Sequence, residues 1–376
     1  MQSICIKRRL RGHTRGSLPA QLPKFLSAAS AVDVFWHQVS EGSLLKLTNL
    51  LELNQSNQHS DEFAMDVLTG LNAQPKCIPA KYFYDDIGSE LFQKISQHPD
   101  YYPTKTEFSI FQSAASTIPQ ITNTPEIDII ELGAGDGHKS KLLIDGFLQH
   151  GRKVNFYPID ISEKAMHLLG KNLLNSANLT IHGIVADYFT GLNHLKRISS
   201  NPKLVLFLGS NIGNFNKQQS AEFLKRLWLS LNESDHVLIG YDLKKDTHIL
   251  NKAYNDSDGL TKAFNLNLLN RMNKALGADF DVRKFEHYGF YNPTIGAMES
   301  HLISLEKQTV YIAALEKQIH FEKFEPLHLE SSFKFTLPEI AHLASDNGFK
   351  MKQNFSDAND YFIDSLWQVH KDKYTK

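Results

Sequence analysis

The sequence predicts an α/β protein: an open, doubly wound sheet joined by an inserted α+β segment. Two observations carry that reading. Between about 126 and 243, short β-rich runs alternate with segments of helical spacing, and such alternation makes a mostly parallel sheet. From about 244 the texture changes to one long amphipathic helix and then β-like runs with little helical periodicity between them.

Taken in order, IDIIEL, VNFYPIDI, LTIHGIVAD, KLVLFLGS and HVLIGYDL read as strands. HKSKLLIDGFLQHG, SEKAMHLLGKNLL and KQQSAEFLKRLWLSL read as the helices between several of them. Ser162, directly after YPIDI, is placed to cap a helix, with Ala165 at the third helical position. TKAFNLNLLNRMNKALG is the long helix. KFEHYGFYN, AMESHLISLEKQTVYIAA and KQIHFEKFEPLHLESSFKF then form the antiparallel portion. TLPEIAHLASDNG reads as a helix opened by Leu337-Pro338 and closed by Gly348, and YFIDSLWQV as a closing strand. No internal repeat or low-complexity tract interrupts the pattern.

At 376 residues the chain is long enough for a well-buried core, and length favours two domains. Hydrophobic residues make up 41% and charged residues 22%, ordinary values for a globular chain. A formal net charge of -1 gives no reason to expect nucleic acid or a membrane surface as partner. Cys5 and Cys77 cannot make a disulfide framework, so a reducing, cytoplasmic setting is expected. From 1 to 32 there is no acidic residue, while Lys7, Arg8, Arg9, Arg11, Arg15 and Lys24 are basic. That composition suits a disordered tail or a targeting segment, and it stays outside the fold argument.

The first strand runs into ELGAGDG, where Gly133, Gly135 and Gly137 let the backbone turn sharply and approach a ligand closely. The spacing is not the G-x-G-x-x-G of dinucleotide binding, and the G-K-[ST] of a triphosphate site is missing. The next strand ends in Asp160, placed to accept hydrogen bonds from ribose hydroxyls. The third ends in VADYF, offering Asp187 to an adenine amino group and Tyr188 as a stacking partner. A glycine turn, then an acid, then an acid at successive strand ends is the pattern of an S-adenosylmethionine pocket. The bland alternative is a tight turn with Asp160 as a helix cap. KYFYDDIGSELFQKISQHPDYYPTKTE is dense in tyrosine, and LFLGSNIGNF places Ser210, Asn211 and Asn214 after the fourth strand. Half-buried packing and a plain turn explain those stretches equally well from composition alone. The 17 histidines show no metal-ligand spacing, so no metal is expected.

Taken together, KYFYDDIGSELFQKI, PDYYPTKTE, ELGAGDGHKSKLL, LFLGSNIGNF, AYNDSDGLTKAFN and LESSFKF resemble the histidine-specific Nα-methyltransferases of ergothioneine biosynthesis. The resemblance runs from about 75 to 367, with the motifs in the family's order. It implies a Rossmann-like methyltransferase sheet in residues 108–244 and 335–376, a substrate-binding domain in 56–107 and 245–334, and a basic, disordered or targeting-like extension in 1–55. It implies that Gly133, Lys139, Asp160, Asp187 and Tyr188 hold S-adenosylmethionine, which leaves as S-adenosylhomocysteine. Asn214 and Tyr254 would grip the amino-acid carboxylate and amine, with Tyr101 near the substrate ring and Tyr84 near the amine, acting through water. Glu330 and Ser332 would hold the two imidazole nitrogens, with Met298 lining the same pocket. A carboxylate and a hydroxyl at spacing two on a strand suit a ring with one N–H and one acceptor.

The implied activity is Nα-methylation of free L-histidine by a monomer, with Tyr84 and Asn214 closest to the chemistry. Two departures from the family pattern are Tyr241 in GYDLKK and the acidic Asp136 in the glycine turn. Rival readings are the same chemistry on another amino acid, such as tryptophan or a thiolated histidine, and a non-catalytic adenosyl-ligand binding module.

Overall fold

The computed structural model describes residues 33–40, 43–51, 55–135, 137–173 and 176–371. Strands β1 (Asp33–Ser40) and β2 (Ser43–Asn49) open it, followed by α1 (Gln55–Leu71), β3 (Lys76–Cys77), α2 (Asp86–Gln97), α3 (Tyr102–Ala114) and α4 (Ile118–Thr122). The alternating segment is β4 (Glu126–Leu132), α5 (His138–Gln149), β5 (Lys153–Asp160), α6 (Glu163–Asn172), β6 (Leu179–Val185), α7 (Tyr188–Ile198), β7 (Lys203–Phe207), α8 (Lys217–Ser230) and β8 (His236–Asp242). Helices α9 (Thr247–Ala253) and α10 (Leu260–Leu276) lead to β9 (Phe285–Asn292), β10 (Ala297–Ser304), β11 (Gln308–Ile312), β12 (Lys317–Phe321) and β13 (Pro326–Phe333). The chain closes with α11 (Leu337–Asp346), β14 (Phe349–Ser356) and β15 (Phe362–Val369).

Nine strands form the main sheet in the order β1-β2-β6-β5-β4-β7-β8-β15-β14. The run from β2 to β8 is parallel, and β1, β15 and β14 add antiparallel edges. Strands β7 and β8 are buried along their whole length, as strands covered on both faces must be. Successive side chains of β7 serve opposite faces. Leu204 and Leu206 pack with Phe111 of α3 and with Leu143 and Phe147 of α5, whereas Val205 and Phe207 pack with Leu195 of α7 and Leu224 of α8. A second sheet, β3-β13-β10-β9, shares an apolar cluster with α1, α2 and α10.

The five β-rich runs and the helices between them are where their periodicity places them, and Ser162 caps α6 by accepting from the Ala165 N–H at 3.2 Å. The β1–β2 hairpin, which pairs with β6 through β2, was not foreseen, although it lies within the stretch expected to be an extension. Strand β14 was also missed. The basic stretch 1–32 and Asp136 lie outside the described residues. Tyr241 is fully buried, 5.0 Å from the Phe335 ring and 5.9 Å from that of Trp367, in the core rather than at the glycine turn.

Strand β4 has β5 on one side and β7 on the other, so the strand order reverses there. In open α/β sheets ligands bind at that reversal, beyond the carboxyl ends of the strands. The turns after β4 and β7 both leave ordinary backbone space at that point, with φ of 75° at Gly133 and 72° at Gly209.

Candidate active site

The turn after β4 is built around bare backbone. Gly133 has φ of 75°, where a side chain is strained, and a Cβ there would crowd the Tyr188 hydroxyl at 3.0 Å. Tyr188 packs edge-on against Phe207, and burial, then Asp160, pushes its phenol up to about 12, which keeps it neutral. Asp160 ends β5 and accepts from the Ser162 N–H at 2.9 Å. Burial raises its carboxyl, and backbone N–H groups partly offset that. Asp187 caps α7, its Oδ1 accepting from the Phe189 and Thr190 N–H groups at 3.1 Å each. Desolvation would raise Asp187, but the Thr190 hydroxyl, together with those N–H groups, wins and holds it below the usual range. The acids at two strand ends, each with a second carboxylate oxygen, beside a turn held at positive φ, fit an adenosyl ligand.

Lys139, in the first turn of α5, is paired with Glu107 of α3. Burial opposes its charge, but Glu107 overcomes that and raises its pKa. The other Glu107 oxygen accepts the Gly209 N–H at 2.6 Å, so one buried carboxylate ties the α5 lysine to the turn after β7. Asp364 of β15 lies close by, its carboxyl raised well above the usual range by burial and then by Glu107.

Beyond Gly209 and Ser210 a cavity opens, and it brings together Tyr84, Tyr101, Asn214, Tyr254, Glu330 and Ser332. Asn214 ends the 3-10 turn Asn211–Asn214, which comes directly after β7. That turn is seated against β13 through backbone: a Cβ on Gly213 would come within 2.8 Å of the Phe333 carbonyl oxygen. Leu329 has no partner on β10, a bulge that sits just before Glu330 and re-aims the side chains after it. Glu330 and Ser332 then share a face of the pleat, with Lys334 one step further. Burial raises the Glu330 carboxyl, and Lys334 partly offsets the effect. Met298 is buried opposite Ser332 on β10 but does not line the cavity. Tyr84 stands at the mouth, 46% exposed, its ring edge-on to Phe92 at 5.5 Å. Desolvation, then Glu330 and Tyr254, raises its phenol pKa, so it is a neutral hydroxyl.

Four residues that no sequence argument singled out complete the site. Lys334 is buried and donates to Asp242 Oδ2 at 2.8 Å, to Tyr254 Oη at 2.9 Å and to Ser332 Oγ at 2.9 Å. Asp242 also takes Lys245 and the Tyr102 hydroxyl, the latter at 2.7 Å. Desolvation would raise Asp242, but Lys334 and Lys245 hold it below the usual carboxylate range. Glu107 is the fourth. The signals for three of them were present: Lys334 continues the spacing of two in LESSFKF, Asp242 is a strand-end acid, and Tyr102 adjoins Tyr101. Among the described residues no group of three or more His, Cys, Asp or Glu side chains is placed to hold a metal ion. None of the described helices is long and apolar enough to cross a membrane.

The strand-order reversal with its glycine turn suits an adenosyl ligand, and the chain's likeness to known proteins makes it an S-adenosylmethionine-dependent methyltransferase. The family model described as "Histidine-specific methyltransferase, SAM-dependent" matches residues 63–369, and the chain belongs to that family. It is 33% identical over 314 residues to the histidine N-alpha-methyltransferase of Mycolicibacterium smegmatis, covering 83% of this chain and 96% of that protein. It is 29% identical over 290 residues to ergothioneine biosynthesis protein 1 of Schizosaccharomyces pombe, covering 74% of this chain and 37% of that protein. A third relative, the 4-dimethylallyltryptophan N-methyltransferase of Claviceps purpurea, is 26% identical over 323 residues, covering 78% of this chain and 91% of that protein.

Proposed function

We propose that the protein methylates the α-amino nitrogen of free L-histidine, ending at N,N,N-trimethylhistidine (hercynine), the first step of ergothioneine biosynthesis. The observation that carries this reading is the pairing of Glu330 with Ser332 in the same cavity as Asn214 and Tyr254. A carboxylate and a hydroxyl at that spacing suit a ring with one N–H and one acceptor nitrogen.

Gly133, Lys139, Asp160, Asp187 and Tyr188 are the residues that would hold S-adenosylmethionine. Bound there, it supplies a methyl group on a positively charged sulfur, open to in-line displacement. The protein's part is alignment, which alone is worth roughly 7–11 kcal/mol of barrier. Asn214 and Tyr254 would orient the amine and carboxylate, while Glu330 and Ser332 fix the far end of the substrate. The attacking amine must be neutral, so its extra proton has to leave. Tyr84, as a neutral hydroxyl at the cavity mouth, is suited to pass that proton to solvent, not to act as a strong base.

An indole acceptor fits less well. Its ring N–H can still meet Glu330, but it leaves the Ser332 hydroxyl without a ring acceptor, and a buried hydroxyl left unpaired is costly. Incubating the purified protein with S-adenosylmethionine and L-histidine, and reading masses over time, tests the reading. A ladder ending three methyls up is the expected result. Turnover of tryptophan with none of histidine overturns it.

A further inference from the structure

We infer that Lys334 sets the hydrogen-bond polarity of the acceptor cavity, and so makes Ser332 a donor to the substrate ring. This rests on the histidine reading above and names a positioning residue for it. A lysine ammonium has three protons and no acceptor. All three are committed in the fold: to Asp242 Oδ2 at 2.8 Å, to Tyr254 Oη at 2.9 Å and to Ser332 Oγ at 2.9 Å. Both hydroxyls are therefore acceptors toward Lys334, and each must send its own proton elsewhere.

Both also line the cavity, next to Glu330. Tyr254 thus offers its proton to an acceptor such as the substrate carboxylate, and Ser332 offers its own to a ring nitrogen carrying a lone pair. Glu330 contributes only acceptors when ionised. The cavity is then wired for one neutral tautomer: N–H toward Glu330, lone pair toward Ser332. Ser332 and Tyr254 lie within hydrogen-bond reach of each other in the fold, and Lys334, by taking a lone pair on each oxygen, favours sending both protons into the cavity, a bias that is lost without the lysine. One hydroxyl would then donate to the other rather than to substrate. Asp242 keeps Lys245 and Tyr102 in that case, so the fold behind the cavity retains its ion pair.

The test compares L-histidine with 3-(pyrrolyl)-L-alanine in its 2-yl and 3-yl forms, which keep a ring N–H but carry no acceptor nitrogen. The quantity read is the ratio of kcat/KM for histidine to that for the better pyrrole. In the unaltered protein the ratio should be roughly 10–100, since the pyrrole leaves a buried hydroxyl proton unpaired. Lys334→Met should lower the ratio about tenfold, Ser332→Ala should do the same, and the double variant should fall no further. S-adenosylhomocysteine binding by calorimetry checks that each variant is folded. If Lys334→Met is not, Lys334→Gln, which keeps two donors, should give an intermediate ratio. A common loss on both substrates with the ratio unchanged, in whichever variant folds, makes Lys334 merely structural and overturns the inference. Failure of the unaltered protein to methylate histidine sinks the histidine reading instead, and a change in Ser332→Ala alone sinks only the role of Lys334.

Discussion

Glu107 and Lys139 form an ion pair that joins the middle of α3 to the first turn of α5, and the same carboxylate holds the turn after β7 through the Gly209 N–H. Both turns lie at the strand-order reversal, where the proposed donor would sit. Glu107→Gln should cost up to about 3 kcal/mol, because removing one partner leaves a largely buried ammonium with only the more distant Glu131 and Asp364 to offset it. Urea unfolding reads the loss, and calorimetry should show weaker S-adenosylhomocysteine binding. Full stability in the variant would mean that the pair is incidental.

Glu330 gives a pH signature. Burial raises its carboxyl, so it takes up a proton at a higher pH than a free glutamate and then ceases to be a pure acceptor. The acidic limb of kcat/KM, which reports the free enzyme and free substrate, should therefore contain a group titrating above the usual glutamate value. In Glu330→Gln that limb should disappear, leaving only the one contributed by the substrate imidazole. An unchanged profile would remove Glu330 from the binding step.

The glycine turn gives a strain test. Gly133→Ala should cost roughly 1–2 kcal/mol for a side chain at positive φ, with a further cost from the 3.0 Å approach to the Tyr188 hydroxyl. Making the change in a Tyr188→Phe background should recover the contact part and leave the strain. Thermal melts of the four proteins separate the two, and strict additivity would show that the hydroxyl does not meet the new methyl.

Acid should weaken the fold through two buried imidazoles. Burial pushes His182 and His236 down to about 4, with Lys46 and Lys352 as smaller contributors. An unfolded imidazole titrates near 6.5. Between those values the unfolded chain binds more protons, so stability rises with pH through the window and falls as pH drops from 6.5 toward 4. Urea midpoints at pH 5 and 7 should differ accordingly, and His236→Gln should flatten the dependence. An equal slope in that variant would place the protons elsewhere.

Tyr241 carries a buried hydroxyl with no hydrogen-bond partner among the described residues. Tyr241→Phe should raise stability by about 0.5–1 kcal/mol, since it removes an unpaired polar group without changing the ring packing. A loss on urea unfolding would show that the hydroxyl is satisfied.

The main sheet was legible because its central strands are short, mostly apolar runs and its turns carry glycine and acids at the strand ends. Strand β14 was not. It buries little beyond Phe349 and Phe355 and shows water a row of polar residues, so the period-two signal is faint. The β1–β2 hairpin sits directly after a basic stretch, whose composition carried the reading of everything before residue 55. In the site, the six cavity residues came from motif likeness, not from spacing alone. Lys334 and Glu107 show why spacing fell short. A lysine or glutamate reads as surface unless its partner is known, and Asp242 and Lys139 lie far away in the chain.

The Gly213 turn meets the backbone of β13 so closely that a Cβ would come within 2.8 Å of the Phe333 carbonyl oxygen. That contact is made by the Phe333 backbone, so it survives a change in the side chains β13 displays toward the cavity. Divergence in a lineage can rewrite those displayed side chains, and with them the acceptor, while the reacting atoms stay aligned. Substrate range in this architecture is free to drift where catalytic geometry is not.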